Sequence, residues 1–258
     1  MKVVILAGGY GTRLSEETEL KPKPMVEIGG KPILWHIMKI YSYYGFNDFV
    51  ILLGYKGYYI KEYFANYFLH QSDVTFDIAT GAMEVHNNSS EPWKVTLLDT
   101  GLKTSTAGRI KKAQSFIGSN DFFLTYGDGV SNVNIKELLS FHKKSNKLLT
   151  MTSVQPESRF GILQTDGNQN VITFSEKSKN EEGWINGGFF VAKPELFNYL
   201  ENCEDIMFEK EPMENLVRDK QIVSYKHYDF WKCMDTLRDK KQLEFLISNS
   251  KAQWMVWE

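Results

Sequence analysis

The chain has 258 residues, 42% of them hydrophobic, and this is enough to bury the core of one α/β domain. Its 30 basic and 32 acidic residues give a formal net charge of -2, so the composition indicates no nucleic-acid partner. The two cysteines, Cys203 and Cys233, provide no disulfide framework and are typical of a reducing compartment. Because no apolar run reaches the ~18 residues of a membrane span, we expect a cytoplasmic protein with no membrane partner.

A short apolar run opens the chain and stops at a glycine-rich turn. The β-branched run from Val3 to Ala7 predicts a buried parallel strand. Gly8, Gly9 and Gly11 then remove the side chains where the backbone leaves this strand, so successive N–H groups can surround an anion. The turn predicts a phosphate-binding loop, although a tight strand-to-helix turn would use the same glycines.

Three groups that bind phosphate follow this turn. Thr12 adds a hydroxyl, Arg13 a planar guanidinium, and Lys23 a point charge on a segment stiffened by prolines. Together they favour a triphosphate site over a turn with surface cations. Two other phosphate motifs are excluded, because Leu14 stands where a dinucleotide fingerprint needs its third glycine and the chain has no G-K-[ST] sequence.

Hydrophobic periodicity predicts the remaining elements. Apolar residues recur with helical spacing at 33–41, 58–69, 109–116, 134–144, 194–200, 211–219 and 237–246. Further strands are predicted at 49–53, 122–126, 148–154, 161–164, 171–175 and 184–191. Between residues 73 and 99 the period changes to two, which predicts antiparallel strands inserted beside the main sheet at 74–78, 83–85 and 95–97. Such an insertion suits an oligomer interface.

Two aspartates lie where ligands are expected. Asp128 stands between Gly127 and Gly129 after a predicted strand, and α/β sheets place ligands at the carboxyl ends of their strands. Since Mg²⁺ takes one or two carboxylates together with phosphate oxygens, Asp128 is a candidate magnesium ligand, with a simple turn as the alternative. Asp235 comes two residues before a predicted helix, so an N-cap is the structural alternative for that carboxylate.

Two polar segments of the second half are candidates for sugar-phosphate binding. Glu176 and Lys177 directly follow a predicted strand and offer an acceptor for sugar hydroxyls and a cation for a phosphate monoester. A solvated turn explains this pair equally well. Asn186, Gly187 and Gly188 interrupt the next predicted strand, and glycines there let a ligand approach the backbone closely.

Several of these segments together resemble one family. The string G-G-x-G-T-R-L from Gly8, followed by K-P-K-P-M from Lys21, resembles the signature of the sugar-1-phosphate nucleotidyltransferases. The longer string up to Met38 is similar to the glucose-1-phosphate cytidylyltransferases, and the similarity extends to the end of the chain. The family's F-W-x-x-M-D-T is matched from Phe230. Its T-G-G-R and E-K-P are matched less well, because Ala107 and Ser178 stand where the family has Gly and Pro.

The resemblance implies a fold and a reaction. The fold is a Rossmann-like, three-layer α/β fold with a mostly parallel central sheet and small antiparallel insertions, in one domain over 1–258. Residues 1–130 would mainly bind the nucleotide and residues 131–258 the sugar phosphate. The implied reaction transfers a cytidylyl group from CTP to α-D-glucose 1-phosphate, giving CDP-glucose and pyrophosphate for CDP-deoxysugar and surface-polysaccharide synthesis, including lipopolysaccharide O-antigen. The implied assembly is a homo-oligomer, hexameric in the family.

The resemblance also implies roles for individual residues. Arg13, Lys23 and Asp128 would be catalytic, and Asp128 and Asp235 would bind Mg²⁺. The implied nucleotide-binding residues are Leu6, Ala7, Gly8, Gly9, Tyr10, Gly11, Thr12, Arg13, Lys23, Thr104 and Arg109. The implied sugar-phosphate-binding residues are Glu176, Lys177, Asn186 and Gly188.

Three alternatives stay open at this point. One is a uridylyl- or thymidylyltransferase of the same fold, and another is a catalytically silent regulatory subunit. The second is disfavoured because all four charged residues of the implied site are present. A glycosyltransferase is the third, but the Asp-x-Asp that usually binds its metal is absent at Asp128, where Val130 replaces the second carboxylate.

Overall fold

The computed structural model of the chain describes residues 1–156, 162–165, 169, 171–175 and 183–258. Its strands are β1 (Lys2–Ala7), β2 (Glu27–Ile28), β3 (Lys31–Pro32), β4 (Asp48–Leu53), β5 (Ser72–Asp77), β6 (Ala82–Asn88), β7 (Lys94–Asp99), β8 (Phe122–Tyr126), β9 (Gly129–Ser131), β10 (Leu149–Val154), β11 (Ile162–Thr165), β12 (Val171–Ser175), β13 (Ile185–Asn186), β14 (Phe190–Ala192), β15 (Ile222–His227) and β16 (Trp231–Cys233). Its α-helices are α1 (Ser15–Thr18), α2 (Ile33–Tyr43), α3 (Gly57–His70), α4 (Thr106–Lys112), α5 (Gln114–Ile117), α6 (Ile135–Ser145), α7 (Glu211–Arg218) and α8 (Leu237–Ser248). Short 3-10 helices span Thr12–Leu14, Lys23–Met25 and Pro194–Leu200.

A mixed sheet forms the centre of the molecule. β7, β4, β1 and β8 lie side by side in this order, and neighbouring strands among them run parallel. β14 lies antiparallel beside β8, and β10 lies antiparallel beside β14. β15 runs parallel to β10 on its other side, while β13 pairs with the far end of β10. This arrangement confirms the predicted α/β class with a mostly parallel sheet.

Helices cover both faces of this sheet. Val3 and Ile5 of β1 pack into one core with α2, whereas Val4 packs into a second core with Ile110 of α4. Successive side chains of a strand point to opposite faces, so a strand covered on both faces reads as one continuous apolar run. The apolar opening of the chain is therefore the signature of a central strand in a three-layer fold.

Two helix starts show how local sequence sets the boundaries. The Asn134 side chain accepts hydrogen bonds from the backbone N–H groups of Lys136 and Glu137, which begins α6 where it was predicted. At α8 the cap is Thr236, whose hydroxyl and the Asp239 carboxylate form a capping box. The N-cap alternative for Asp235 is therefore wrong, and its carboxylate is available for other contacts.

One predicted group of strands is partly wrong. β5 and β6 form the expected antiparallel hairpin, in which Val74 lies opposite Val85. β7, predicted as part of that insertion, instead pairs parallel with β4, with Phe49 opposite Val95. β7 is a half-buried strand at the edge of the sheet, and such a strand shows the same alternation as an antiparallel one.

Smaller differences concern three other elements. The helix predicted at 109–116 begins earlier, at Thr106, and is divided into α4 and α5. The strand predicted at 184–191 is interrupted between β13 and β14, where Gly188 and Phe189 have positive φ angles of 74° and 45°. The helix predicted at 194–200 is a 3-10 helix.

Among the described residues, no helix has the length and apolarity needed to cross a membrane.

Candidate active site

A cleft of about 400 Å³ opens at the carboxyl ends of the parallel strands. Every residue predicted to bind the nucleotide lines this cleft, and so does Asp128. The loop after β1 forms one wall, and Gly11 in it has a φ angle of 66°, which favours glycine. Gly9 and Tyr10 are exposed in this loop, and the Tyr10 ring lies 5.2 Å from that of Tyr55. The structure therefore brings the predicted nucleotide residues together in one concave site.

Arg109 lines the cleft, and its guanidinium is bonded to the backbone of this loop and of two neighbouring segments. Its guanidinium donates hydrogen bonds to the backbone oxygens of Leu53 at 2.9 Å, Gly101 at 2.8 Å and Gly8 at 3.1 Å. It also donates to Thr100 Oγ1 at 2.6 Å, and the whole side chain is only 5% exposed. The guanidinium thus ties together the chain segments that leave β1, β4 and β7. This geometry shows that Arg109 fixes the position of the loop after β1 relative to the two neighbouring segments.

Two residues precede Arg109, and their surroundings explain why an alanine is accepted at position 107 but a glycine is needed at 108. Ala107 is fully buried and packs in the core between the sheet and α4, so its methyl group fills space. Gly108 has no such freedom, because a Cβ there would lie 2.7 Å from the backbone of Glu204. Thr104, another predicted nucleotide residue, is buried beside the cleft and accepts a hydrogen bond from Lys112 Nζ at 3.3 Å.

Four charged side chains converge at one end of the cleft. Lys23 Nζ lies 2.7 Å from Asp128 Oδ2 and 2.7 Å from Asp235 Oδ1. The other oxygen of Asp235 bonds Arg13 Nη1 at 2.7 Å. The Lys23 side chain is 10% exposed, whereas the Arg13 side chain is 72% exposed. Every residue predicted as catalytic or metal-binding therefore lies in this one cluster.

A two-stranded ribbon brings the two distant aspartates together. β9 follows Asp128 directly and pairs antiparallel with β16, with Gly129 opposite Cys233. The backbone N–H of Met234 donates to the Asp128 carbonyl at 2.8 Å, which extends the ribbon by one more bond. Asp235 follows at the end of this ribbon. Pairing between the two segments thus places both carboxylates at the same edge of the sheet.

The charges of this cluster stabilise one another. Burial alone would raise the pKa of Asp235, but the hydrogen bond and charge of Lys23, assisted by Arg13, hold it below its usual value. Burial would lower the pKa of Lys23, but Asp128 and Asp235 outweigh burial and raise it. Burial, together with the charges of Asp235 and Asp128, raises the pKa of the Cys233 thiol to about 12. Lys23 and Asp235 are therefore both ionised at neutral pH, and Cys233 is a neutral thiol beside them.

The donor set of this cluster fits a magnesium ion. Asp128 and Asp235 bond the same nitrogen, so their oxygens lie no farther apart than twice that bond length. Within the described ranges, no group of three or more His, Cys, Asp or Glu side chains is positioned to hold a metal. Two carboxylates completed by substrate phosphates and water are the usual ligands of Mg²⁺, whereas Zn²⁺ sites use His and Cys.

Two of the four residues predicted to bind the sugar phosphate belong to the described part of the chain, and two do not. Glu176 and Lys177 lie outside the described residues. Asn186 ends β13 and Gly188 lies in the turn that follows it, and Asn186 Oδ1 accepts from the Gly188 N–H at 2.9 Å. The Asn186 amide also donates to Tyr126 Oη at 3.0 Å, so the tyrosine that borders the cleft contacts this turn.

Sequence reasoning missed several side chains that hold these loops. Trp231 Nε1 donates to the Gly187 carbonyl at 2.7 Å, and Thr152 Oγ1 donates to the Phe189 carbonyl at 2.8 Å. Tyr126 and Thr106 line the cleft although neither was predicted to do so. Tyr126 is a polar aromatic residue at the carboxyl end of an apolar strand, and this position was the one sequence signal that it lines the cleft.

Comparison with known proteins identifies relatives of this chain. The family model described as Nucleotidyl transferase matches residues 2–239. Glucose-1-phosphate cytidylyltransferase of Salmonella typhi is 53% identical over 259 residues and covers 100% of both chains. The protein of the same name from Salmonella typhimurium is also 53% identical over the full length of both chains.

Solved structures agree with this comparison at the level of the fold. The crystal structure of UDP-glucose pyrophosphorylase in complex with UDP-glucose superimposes with a TM-score of 0.69, covering 96% of this chain and 98% of that one. Its sequence identity is 16%, so the likeness concerns the fold alone. By its family model and its full-length relatives, the chain belongs to the nucleotidyl transferase family and, within it, is a sequence relative of the glucose-1-phosphate cytidylyltransferases.

Proposed function

We propose that this chain transfers the cytidylyl group of CTP to α-D-glucose 1-phosphate, with Mg²⁺ as its cofactor, and releases pyrophosphate. The observation that carries the proposal is the Lys23 amine held between Asp128 and Asp235 at the end of a glycine-walled cleft. The choice of cytosine and glucose is supported by the names of the full-length relatives. The product would feed the synthesis of CDP-deoxysugars for surface polysaccharides.

The reaction needs no side-chain base. The sugar phosphate has a second pKa of ~6, so its oxygen is already a largely dianionic nucleophile at neutral pH. This oxygen forms a bond to the α-phosphorus of CTP, while the bond from that phosphorus to the β-phosphate oxygen breaks. Pyrophosphate leaves with the electron pair, and no proton has to move. Catalysis therefore depends on in-line positioning and on neutralising charge at the transferred phosphate.

The positions of the charged residues support separate roles in this step. Lys23 is buried at the centre of the cluster, where its amine would stabilise charge on the α-phosphate and the incoming phosphate. Arg13 is largely exposed at the rim of the cleft and would follow the leaving pyrophosphate. Asp128 and Asp235 would hold Mg²⁺, which when bound neutralises charge on the phosphate oxygens.

The two substrates would occupy different parts of the chain. The glycine loop, Thr104 and the cleft belong to residues 1–130, which we assign mainly to the nucleotide. Asn186 and Gly188 belong to residues 131–258, which we assign mainly to the sugar phosphate together with Glu176 and Lys177. The segment that carries Asp235 returns from the second half to complete the first.

Base choice would rest on main-chain atoms of the first loop. Cytosine has an amino donor and an unprotonated N3, whereas uracil has a carbonyl and an N3–H at the same edge. A backbone carbonyl and a backbone donor at that edge would both stay unpaired with uracil. Each unpaired buried group costs ~1–3 kcal/mol, so two would give roughly hundredfold discrimination against UTP.

A pyrophosphate-release assay tests the proposal. The purified chain is assayed with CTP, UTP, dTTP, GTP and ATP, each with several sugar 1-phosphates, with Mg²⁺ and with excess EDTA. We expect kcat/KM for CTP with glucose 1-phosphate to exceed that for UTP by roughly a hundredfold. Comparable values would instead support a uridylyltransferase. Turnover with no pair would support the silent-subunit alternative.

A pair of variants makes the same assay specific for the cluster. Asp128→Asn keeps the size of the side chain but removes the charge, so we expect turnover to fall below ~1% of the unmodified chain. Asp205→Asn, at an exposed aspartate outside the cleft, is the matched control and should change turnover less than twofold. Full activity of Asp128→Asn would remove Asp128 from the metal site.

We also propose that the chain forms a homo-oligomer, a hexamer by resemblance to the family. The β5–β6 hairpin supports this proposal, because Phe76 is 52% exposed and Ile78 is 89% exposed at its tip. Light scattering on a sizing column would give the number of copies. Ile78→Asp should shift the mass towards the monomer, whereas Val217→Asp, at an exposed valine of α7, should not.

A further inference from the structure

A chain of hydrogen bonds runs behind the cleft from α4 to the turn between β13 and β14. Thr106 Oγ1 donates to Glu209 Oε2 at 2.8 Å, and Tyr126 Oη donates to Glu209 Oε1 at 2.6 Å. Asn186 Nδ2 then donates to Tyr126 Oη at 3.0 Å, and Gly188 N donates to Asn186 Oδ1 at 2.9 Å. The Glu209 carboxylate accepts from both Thr106 and Tyr126, so it connects α4 to the tyrosine.

Glu209 itself does not line the cleft in the described part of the chain. It is half-buried just after Phe208, a fully buried core residue, and lies behind Thr106 and Tyr126, which both do line the cleft. The Phe208 N–H donates to Thr106 Oγ1 at 2.7 Å, so this hydroxyl is oriented to donate to the carboxylate. Both carboxylate oxygens therefore have fixed partners, and their orientation is set before any ligand binds.

The Tyr126 side chain transmits this orientation to the turn. A Cβ added at Gly188 would lie 3.1 Å from Tyr126 Cδ2, so the ring packs directly against the turn. The pKa of Tyr126 is raised by burial and then by the charge of Glu209, so the phenol stays a donor to the carboxylate. Because the phenol proton is directed to Glu209, its oxygen is left to accept from Asn186.

We propose that Glu209 is a positioning residue for the sugar phosphate. Its carboxylate orients the Tyr126 hydroxyl, this hydroxyl orients the Asn186 amide, and the amide holds the Gly188 N–H in its turn. The inference rests on the proposed reaction, in which this turn borders the sugar phosphate. Glu209 does not line the cleft, and it acts on the turn through Tyr126.

Steady-state kinetics with four variants test this inference. Glu209→Ala should raise the KM for glucose 1-phosphate about tenfold and leave the KM for CTP within about twofold. Tyr126→Phe should have a similar effect, since it removes the same link. The double variant should then be no worse than about the larger single effect, because both changes break one chain of contacts. Glu209→Gln keeps an acceptor for the tyrosine and should recover most of the loss.

Several outcomes would overturn the inference, and the proposed function is tested separately. An unchanged KM for glucose 1-phosphate in Glu209→Ala, or effects that multiply in the double variant, would show that Glu209 does not act through Tyr126. Equal losses for both substrates would indicate a general structural role. The unmodified chain is assayed first, and absence of turnover there would contradict the reaction itself. Glu195→Ala, at an exposed glutamate outside this chain of contacts, is the matched control.

Discussion

The two glycine turns at the edge of the sheet are held in different ways. The loop of residues 8–11 is held from behind by one buried cation, because Arg109 donates to the carbonyls of Gly8, Leu53 and Gly101. The turn of residues 186–189 is held by separate neutral donors on several elements, such as Trp231 and Thr152. Both arrangements keep backbone groups in fixed positions beside the proposed substrate sites.

The difference has a physical consequence. One guanidinium offers five donors in a rigid plane, so it can tie several chain segments together at once. Neutral donors each tie one carbonyl, and losing one leaves the others in place. We therefore expect the first loop to fail when a single residue is changed, and the second to weaken in steps.

The largest effect should come from Arg109→Met. This change leaves several buried carbonyls with fewer donors, and each unsatisfied group costs ~1–3 kcal/mol. We expect the free energy of unfolding to fall by about 3 kcal/mol and CTP affinity to fall more than tenfold, measured by urea denaturation and calorimetry. Arg218→Met, at an arginine whose side chain is 72% exposed, is the control. A stable variant with normal CTP affinity would break the comparison between the loops.

A smaller effect, confined to the first loop, should come from Gly8→Ala. An added Cβ would lie 2.5 Å from Arg109 Cζ, so the guanidinium or the loop must move. We expect CTP affinity to fall about tenfold, with the KM for glucose 1-phosphate changed less than twofold. Gly9→Ala is the matched control, because a Cβ there meets nothing within 4 Å. Equal losses in both variants would show that the loop needs glycine for another reason than the space taken by Arg109.

Gly188→Ala makes the corresponding change in the second turn. Gly188 has a φ angle of 74°, which an alanine adopts only with strain, and the new Cβ would press on Tyr126. We expect the KM for glucose 1-phosphate to rise about fivefold while the KM for CTP stays the same. If the KM for CTP rose instead, the assignment of the two turns to separate substrates would be wrong.

A change at His36 should have the smallest effect on substrate binding, because this histidine lies in neither glycine turn. His36 is 2% exposed, and burial lowers its pKa to about 4. Its Nδ1 accepts from Trp254 Nε1 at 3.3 Å, so Nε2 carries the proton and donates to the Ile28 carbonyl at 2.9 Å. The folded pKa lies below the unfolded value near 6.5, so this stability is present above pH ~6.5 and is lost as the pH falls towards 4.

The corresponding experiment compares unfolding at two pH values. Between pH 7 and pH 4.5, the unmodified chain should lose about 2 kcal/mol more unfolding free energy than His36→Gln does. Neither KM at pH 7 should change by more than about twofold. The other histidines are common to both proteins, so they cancel in this difference. Identical pH profiles would show that the pKa of His36 is the same in the folded and the unfolded chain.

The local signals in the sequence were enough to predict an α/β domain and its first loop. An apolar strand buried on both faces, a glycine turn and the following cations all lie between Val3 and Lys23. Each of these depends on neighbours in the chain, so the pattern is visible without knowledge of the fold. The start of α6 at Asn134 was predictable for the same reason, because a cap bonds backbone groups two or three residues away.

Contacts between distant segments were decided only by the tertiary structure. An alternating pattern occurs in half-buried strands of both parallel and antiparallel sheets. It therefore could not show that β7 pairs in parallel with β4. The same holds for Arg109: the family resemblance implied a nucleotide contact, but no local pattern indicated that its guanidinium donates to carbonyl groups of β4 and of two loops. Glu209 and Tyr126 are 83 positions apart, and nothing near either residue in the sequence indicates the hydrogen bond between them. Such pairs form because the sheet brings several strand ends to one edge, and this depends on strand order, which a local pattern does not encode.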